Sequence, residues 1–335
     1  MRMLLLVALA LGSAPLAAQT PSIIHVPGKT IEVVGLERWT VQMIQDSMNR
    51  YSPGDSLQSH ACAAVLRYKL HFADAAAEYI PSSPPDTGLY VFVSVVEPQD
   101  SARVRYRTVG LRSDTATVAA EWRAGTDLVR LHSMGFQVGL LSYLTPAADR
   151  RVPAWAGDDS AGVRLTWSFL DAHQHPSDAA AARVTLRDDP NMLDRMVAAA
   201  VLLNFSASDS TWWALADVLL ESDGYARGTA AQVLGALAGA RSRSVDWLPA
   251  VPTVRALLDG TSLFILPAMM RVLTRTGVNS SLASPLLAHG GHALLSYAGA
   301  ALPSHRGEAL RLLTALRGVD LGDDVGKWRT WIESL

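Results

Sequence analysis

Two short histidine clusters are the residues in this chain whose spacing could hold a metal ion. They are His289-Gly-Gly-His292 and His173-Gln-His175. Imidazoles two or three positions apart can share one zinc ion, but a site needs further ligands, and no HExxH or carboxylate–histidine phrase lies nearby. Two histidines around Gly-Gly are typical of a turn between helices. No metal and no cofactor are therefore predicted, and a metal-dependent hydrolase using His289 and His292 is the alternative.

Other reactive side chains also favour a structural interpretation. Paired aspartates such as Asp188-Asp189 are adjacent, and adjacent helical residues do not face each other, so caps and turns explain them better than acid–base catalysis. The single cysteine, Cys62, lies among small residues in Ala61-Cys-Ala-Ala64, which is typical of a small buried apolar residue. The sequence therefore predicts a protein without catalytic residues.

Binding candidates come from two other patterns. Arg103, Arg105 and Arg107 alternate with apolar or small residues, which predicts a strand with a basic face that could meet an acidic partner. Trp212 and Trp213 are neighbours, and two neighbouring residues cannot both point into the core from one helix. One of these two tryptophans is therefore predicted to be partly exposed and to contact a partner.

The elements that would position these residues begin with a mixed segment over residues 29–110. Apolar residues recur there first at helical spacing and then at strand spacing. The predicted elements are a strand over 29–37, a helix over 39–50, a helix that carries Leu57, Ala61 and Ala64, a strand over 66–72, a strand over 90–96 and a hairpin partner over 103–108. The predicted fold class of this segment is α+β with the order β-α-α-β-β, to which the hairpin partner over 103–108 adds a further strand.

This order resembles the POTRA domain, a periplasmic module of outer-membrane assembly and secretion systems. The similarity covers about 80 residues. It is carried by Ile31-Glu-Val-Val-Gly35, Pro53-Gly-Asp55, Phe72-Ala-Asp-Ala75, Tyr90-Val-Phe-Val-Ser-Val-Val-Glu97 and Arg103-Val-Arg-Tyr-Arg-Thr-Val-Gly110. The resemblance implies a sheet edge at which a partner's strand can add. The chain departs from the family because one copy is present and no β-barrel follows.

A repeated helical phrase marks residues 162–335. Gly228-Thr-Ala-Ala-Gln-Val-Leu-Gly-Ala-Leu-Ala-Gly239 recurs as Gly307-Glu-Ala-Leu-Arg-Leu-Leu-Thr-Ala-Leu-Arg-Gly318, and weaker copies centre on Leu202-Leu203 and Val272-Leu273. The apolar pairs therefore fall 31, 39 and 40 residues apart. This period resembles HEAT-like repeats, which implies an all-α solenoid of stacked helix pairs with an extended binding surface.

Between these parts, residues 111–161 are predicted to be a helical extension followed by a linker. The segment 145–157 contains two prolines, a glycine and mixed charge, which makes continuous regular structure unfavourable.

The N-terminus and the composition predict the compartment. Arg2, an apolar run over 3–11 and Leu16-Ala17-Ala18 are typical of a cleaved signal peptide over residues 1–18. No later stretch has the length and apolarity of a transmembrane helix. The net charge of −2 argues against nucleic acid as a partner, because binding to phosphates requires a concentrated basic surface. The chain is therefore predicted to be exported, periplasmic or secreted, in a high-GC bacterium.

The predicted function is a non-catalytic scaffold or adaptor of the bacterial cell envelope that binds a protein partner. Stacked helices and an open sheet edge both serve protein recognition. The hydrolase remains one alternative, and a carrier that holds an apolar ligand between the two parts of the chain is the other.

Overall fold

The computed structural model describes residues 22–81, 88–109, 122–288 and 290–335. The predicted signal peptide over 1–18 lies outside the described residues. His289, one member of the histidine pair, lies outside them as well.

Within these ranges, four strands form one mixed sheet with the order β1-β2-β4-β3. The strands are β1 (Ser22–Val26), β2 (Lys29–Val34), β3 (Asp74–Pro81) and β4 (Leu89–Val96). β2 and β4 pair in parallel, whereas β1 pairs with β2 and β3 pairs with β4 in the antiparallel sense. The α+β nature of the N-terminal part is thus confirmed, with β1 as an additional strand.

Two helices cover one face of this sheet. They are α1 (Val41–Tyr51) and α2 (Cys62–Tyr68), and the hydroxyl of Thr40 caps α1 by accepting a hydrogen bond from the Met43 N–H at 3.2 Å. Alternate residues of the inner strands meet the apolar sides of both helices. The buried residues shared by this layer include Ile31, Val33, Ile44, Met48, Val65, Leu66, Val91, Val93 and Val95. Side chains of period 2 on the strands and of period 3.6 on the helices thus build the first core.

The predicted strand over 66–72 is wrong. Leu66 and Tyr68 belong to α2, Leu70 and Phe72 lie in the buried turn that follows, and the strand begins only at Asp74. The alternation of apolar residues was a coincidence of a helix end and a turn. Tyr68, which a strand would have buried, is 69% exposed.

The predicted hairpin between 90–96 and 103–108 is also wrong. β4 ends at Val96, and Pro98–Arg103 forms a 3-10 helix instead of a reverse turn. Of residues 104–109, only Arg107 makes a β-bridge, and its partner is Glu221 in the helical region. β4 instead pairs with β2 on one side and with β3 on the other, so it is an inner strand of the sheet.

The second face of the sheet packs on the helical region. Six consecutive residues of β4, Val91–Val96, are buried, because alternate side chains serve opposite faces. Val34, Phe92 and Val96 belong to the same hydrophobic cluster as the helices that follow. The sheet is therefore enclosed between two helical layers.

Thirteen α-helices follow the sheet in the part of the chain that the structure describes. The first group is α3 (Arg123–Leu131), α4 (Ser133–Tyr143), α5 (Ser160–Ala172), α6 (Pro176–Asp188), α7 (Met192–Val201), α8 (Asp209–Val218) and α9 (Gly224–Ala240). The second group is α10 (Val251–Asp259), α11 (Leu266–Arg275), α12 (Ala283–Leu287), α13 (His292–Ala298), α14 (Pro303–Arg317) and α15 (Val325–Glu333). The predicted succession of an α+β part and an all-helical part is therefore confirmed.

The four copies of the repeated phrase occupy one row of helices. α7, α9, α11 and α14 pack against each other in that order. The apolar pair of each copy lies in this row or in the turn that ends α7, and all eight side chains are buried. Gly318, the last residue of the phrase, ends α14 with φ +80°, a conformation that favours glycine.

The predicted linker over 145–157 contains two short 3-10 elements, Ala147–Asp149 and Ala154–Asp159. They join α4 and α5, which pack closely because Gly135 and Gly139 of α4 face Gly162 and Thr166 of α5. A methyl group at Gly139 would lie 2.6 Å from the Thr166 Cβ atom, so glycine sets the spacing of these two helices.

A membrane-spanning helix must be both long and apolar. Within the described ranges, no single helix meets both requirements. Residues 248–259 and 263–275 meet them only as a pair that bends by 104° at its break.

Candidate functional site

The two predicted contact tryptophans lie on α8 and have different exposures. Trp212 is fully buried, and its indole N–H donates to the Ser206 carbonyl oxygen at 2.9 Å. Trp213 is half-buried, and its indole N–H donates to the Asp246 carbonyl oxygen at 2.6 Å. Trp212 is thus a core residue, and only Trp213 presents part of its ring outward.

The three predicted arginines do not form a basic strand face. Arg103 pairs with Glu37 at 3.3 Å and with Asp100 at 3.0 Å. Arg105 is exposed, and its backbone N–H donates to the Thr261 hydroxyl at 2.9 Å. Arg107 turns into the protein. The strand that was to carry the three arginines is absent from the described residues 103–108, and the charges of Arg103 and Arg107 are paired within the fold.

Arg107 belongs to a buried network of ionic groups. Its guanidinium donates to Glu221, to Asp217 and to the Leu186 carbonyl oxygen. Arg195 approaches the same Glu221 carboxylate at 2.9 Å from the other side. Glu221 and Arg195 are almost fully buried, so each charge depends on the other for solvation. This network fastens the chain after β4 to α7 and α8.

His292 stands at the start of α13, after the Gly290-Gly291 turn from α12. The Asp259 carboxylate accepts a hydrogen bond from the Gly291 N–H. Partial desolvation and the nearby Arg103 guanidinium lower the pKa of His292, while burial raises the pKa of Asp259. Within the described residues no three His, Cys, Asp or Glu side chains converge as a metal-binding group. The Gly-Gly phrase serves as a helix–helix turn.

A cleft of about 280 Å³ opens beside His292. The loop after β2 contributes Glu37 to its lining, α13 contributes Leu295, and α15 contributes Val325 and Ile332. Its volume lies at the lower limit of small-ligand pockets, which usually span about 300–1,000 Å³. The cleft could hold a small amphipathic group or one side chain of a partner.

The outer edge of β1 is the feature with the clearest capacity to bind. Val26 and Lys29 close the β1–β2 hairpin around Pro27-Gly28, and Gly28 has φ +72°. Proline followed by a glycine of positive φ is the signature of a type II turn. In a two-residue hairpin the closing pair exchanges hydrogen bonds, and such pairs recur every second residue. The N–H and C=O groups of Ile23 and His25 therefore point away from β2.

This edge is not blunted in the usual ways. No described strand pairs with it, and its pairing with β2 is continuous from Ser22 to Val26, without a bulge. β1 contains no charged residue and no proline, the devices by which edge strands normally avoid pairing. Ile24 and Val26 pack towards the α1–α2 core, while Ile23 and His25 are exposed on the opposite face. A strand added here would continue both faces of the sheet.

The other edge of the sheet is partly covered. β3 packs against the 3-10 turn Leu263–Ile265 of the helical region. The Leu263 N–H donates to the buried Asp74 carboxylate at 3.1 Å, and burial raises the pKa of that carboxyl group. β1 is therefore the more accessible of the two edges.

The predicted site did not include β1. The signal that could have identified it is Val26-Pro-Gly-Lys29, a turn phrase between two β-branched runs. The strand Ser22–Val26 is not among the predicted elements. Trp212 and Arg107 are of residue types that are common in interfaces, but Trp212 lies in the core and Arg107 pairs within the fold.

Comparison of the chain with protein-family models, with curated proteins and with solved structures finds no match. The similarities to the POTRA domain and to HEAT-like repeats thus rest on sequence pattern and on the order of the elements. The function is accordingly inferred from the geometry of the described residues.

Proposed function

We propose that this chain is an exported, non-catalytic scaffold or adaptor of the bacterial cell envelope, periplasmic or secreted, that binds a protein partner. The observation that carries the proposal is the outer edge of β1, with which no strand of the described residues pairs. An extended segment of the partner adds to the sheet there. Main-chain hydrogen bonds to Ile23 and His25 supply affinity, and the alternating side chains supply selectivity.

Two features of the fold support this function. The order β2-α1-α2-β3-β4 agrees with the POTRA-like interpretation, a class of module in which sheet edges receive strands. The row α7-α9-α11-α14 agrees with the HEAT-like interpretation, in which stacked helices present a long surface. Both are arrangements for holding other proteins.

The ionisable groups that are most buried support a non-catalytic role. Glu97 accepts hydrogen bonds from the backbone N–H groups of residues 37, 38 and 39. Glu32 accepts from Tyr90 Oη at 2.7 Å and from the Leu302 N–H at 3.0 Å. Glu221 neutralises two arginines. Each of these carboxylates fastens one part of the chain to another.

The carrier alternative has one observation in its favour, the cleft beside His292. Its apolar lining, which includes Leu295, Val325 and Ile332, suits an aliphatic group. Its volume of about 280 Å³ is small for a lipid chain, so the carrier ranks below strand addition.

Substitution at His25 tests strand addition directly. His25→Pro removes an N–H that points away from β2, so the β1–β2 hairpin keeps its main-chain hydrogen bonds while a partner strand loses one. We expect a partner captured from bacterial envelope extract by the wild-type chain to be retained at least about 10-fold less by this variant. The measurement is quantitative mass spectrometry of the retained proteins.

The matched control is His25→Thr, which removes the imidazole but keeps the N–H and suits a strand. It is expected to retain the partner as the wild type does. Equal capture by His25→Pro and wild type, or equal loss with both variants, would contradict main-chain recognition at β1. Circular dichroism and the thermal midpoint establish that each variant is folded.

A further inference from the structure

An apolar groove of about 500 Å³ runs between α3 and α5. Leu128 and Phe169 form its buried floor, and Leu131 and Leu165 form its two walls. The helices approach closely because Gly125 has no side chain. A methyl group at this position would lie 2.6 Å from the Phe169 ring. The groove is thus a fixed feature of the helical region.

The walls of the groove present apolar side chains to solvent. Leu131 is 69% exposed and Leu165 is 51% exposed. Single exposed leucines are ordinary, but leucines on both rims of one groove make a continuous apolar surface that is suited to association. α3 offers a narrow stripe along this surface, in which Ala124, Leu128 and Leu131 recur at helical spacing.

We propose that the chain forms a two-fold symmetric homodimer in which α3 of each copy lies in the α3–α5 groove of the other. A two-fold axis near the middle of α3 makes the two α3 helices antiparallel. Leu131 of one copy then meets Ala124 of the other, so a large side chain fits beside a small one, twice. The interface is self-complementary because the same surface serves both copies.

Charge supports a second copy as the occupant. Asp127 and Arg130 lie on one flank of the apolar stripe, and both are exposed. In an antiparallel pair of identical helices, each flank of one helix faces the same flank of the other helix. Asp127 of each copy therefore lies opposite Arg130 of the other, and opposite charges meet at two symmetric positions. The intramolecular Asp127–Arg130 pair is part of a four-charge rim in the dimer.

Analytical ultracentrifugation of the full chain over a micromolar concentration series tests the dimer. The wild type is expected to sediment as a dimer. Leu131→Glu places a charge in the groove and is expected to raise the dimer dissociation constant at least about 10-fold. Leu248→Glu is the control, because Leu248 is 59% exposed and does not line the groove.

A charge exchange distinguishes the proposed orientation from other contacts. Asp127→Arg alone places like charges opposite each other and is expected to weaken the dimer. Asp127→Arg combined with Arg130→Asp restores opposite charges in the symmetric arrangement and is expected to restore the dimer. A wild-type chain that remains monomeric, including one whose groove instead takes up an amphipathic helix of another protein, would overturn the proposal. Equal weakening by Leu131→Glu and Leu248→Glu would overturn it as well.

Discussion

Replacing Glu221 by alanine is expected to lower the free energy of unfolding by about 3–5 kcal/mol. The Glu221 carboxylate is the common partner of Arg195 and Arg107, and Arg195 is only 4% exposed. Without Glu221, the Arg195 guanidinium loses the carboxylate that it contacts through Nε and Nη2 and keeps its hydrogen bond to the Asp189 carbonyl oxygen. A buried charge without a counter-charge is among the most destabilising consequences of a single substitution. Equilibrium unfolding in urea measures the change.

Asp217→Ala is the matched control for this prediction. Asp217 also pairs with Arg107, but its side chain is 43% exposed. Water therefore replaces most of the stabilisation that the ion pair gives to the two charges. Its substitution is expected to change the free energy of unfolding by less than about 1 kcal/mol. Equal effects of the two substitutions would show that burial of the Glu221 pair does not stabilise the fold.

Replacing Glu97 by alanine is expected to lower the free energy of unfolding by about 2–4 kcal/mol. The buried Glu97 carboxylate accepts hydrogen bonds at 2.7–3.0 Å from the backbone N–H groups of Glu37, Arg38 and Trp39. Alanine leaves these three donors without the carboxylate that accepts from them, in a partly exposed loop between β2 and α1. Urea unfolding monitored by circular dichroism measures the loss.

Asp100→Ala provides the comparison for Glu97. The Asp100 carboxylate, in the 3-10 helix that follows β4, contacts the Arg38 and Arg103 side chains. Its loss leaves Arg103 paired with Glu37 and leaves Arg38, which is 60% exposed, to water, so the expected effect is below about 1 kcal/mol. If Glu97→Ala were no more destabilising than Asp100→Ala, the carboxylate could not be what holds the loop against the end of β4.

Local pattern predicted those parts of the fold in which one element dominates its own residues. β2, α1 and β4 appear close to their predicted positions because apolar spacing there agrees with burial. The repeated phrase predicted stacked helix pairs, and its four copies lie in, or at the end of, helices that pack in one row. The prediction of a strand over residues 66–72 failed because a helix end followed by a turn reproduces the alternation of a strand over a few residues.

The candidate site was less predictable because its residues depend on contacts that are distant in sequence. Arg107 alternates like a strand residue, yet its partner Glu221 is 114 positions away and no local pattern indicates that pair. Trp212 and Trp213 were correctly recognised as an inward and outward pair, but the direction of each depends on the packing of α8. β1 becomes significant only once the sheet order places it at an edge.

Residue-resolved hydrogen exchange of the free chain and of its complex with the captured partner tests strand addition at β1 most directly. The amides of Ile23 and His25 point away from β2, so they are expected to exchange rapidly in the free chain and at least about 100-fold more slowly in the complex. The amides of Ile24 and Val26 already bond to β2 and serve as internal references. Unchanged exchange at Ile23 and His25 in a saturated complex would contradict binding of the partner at this edge.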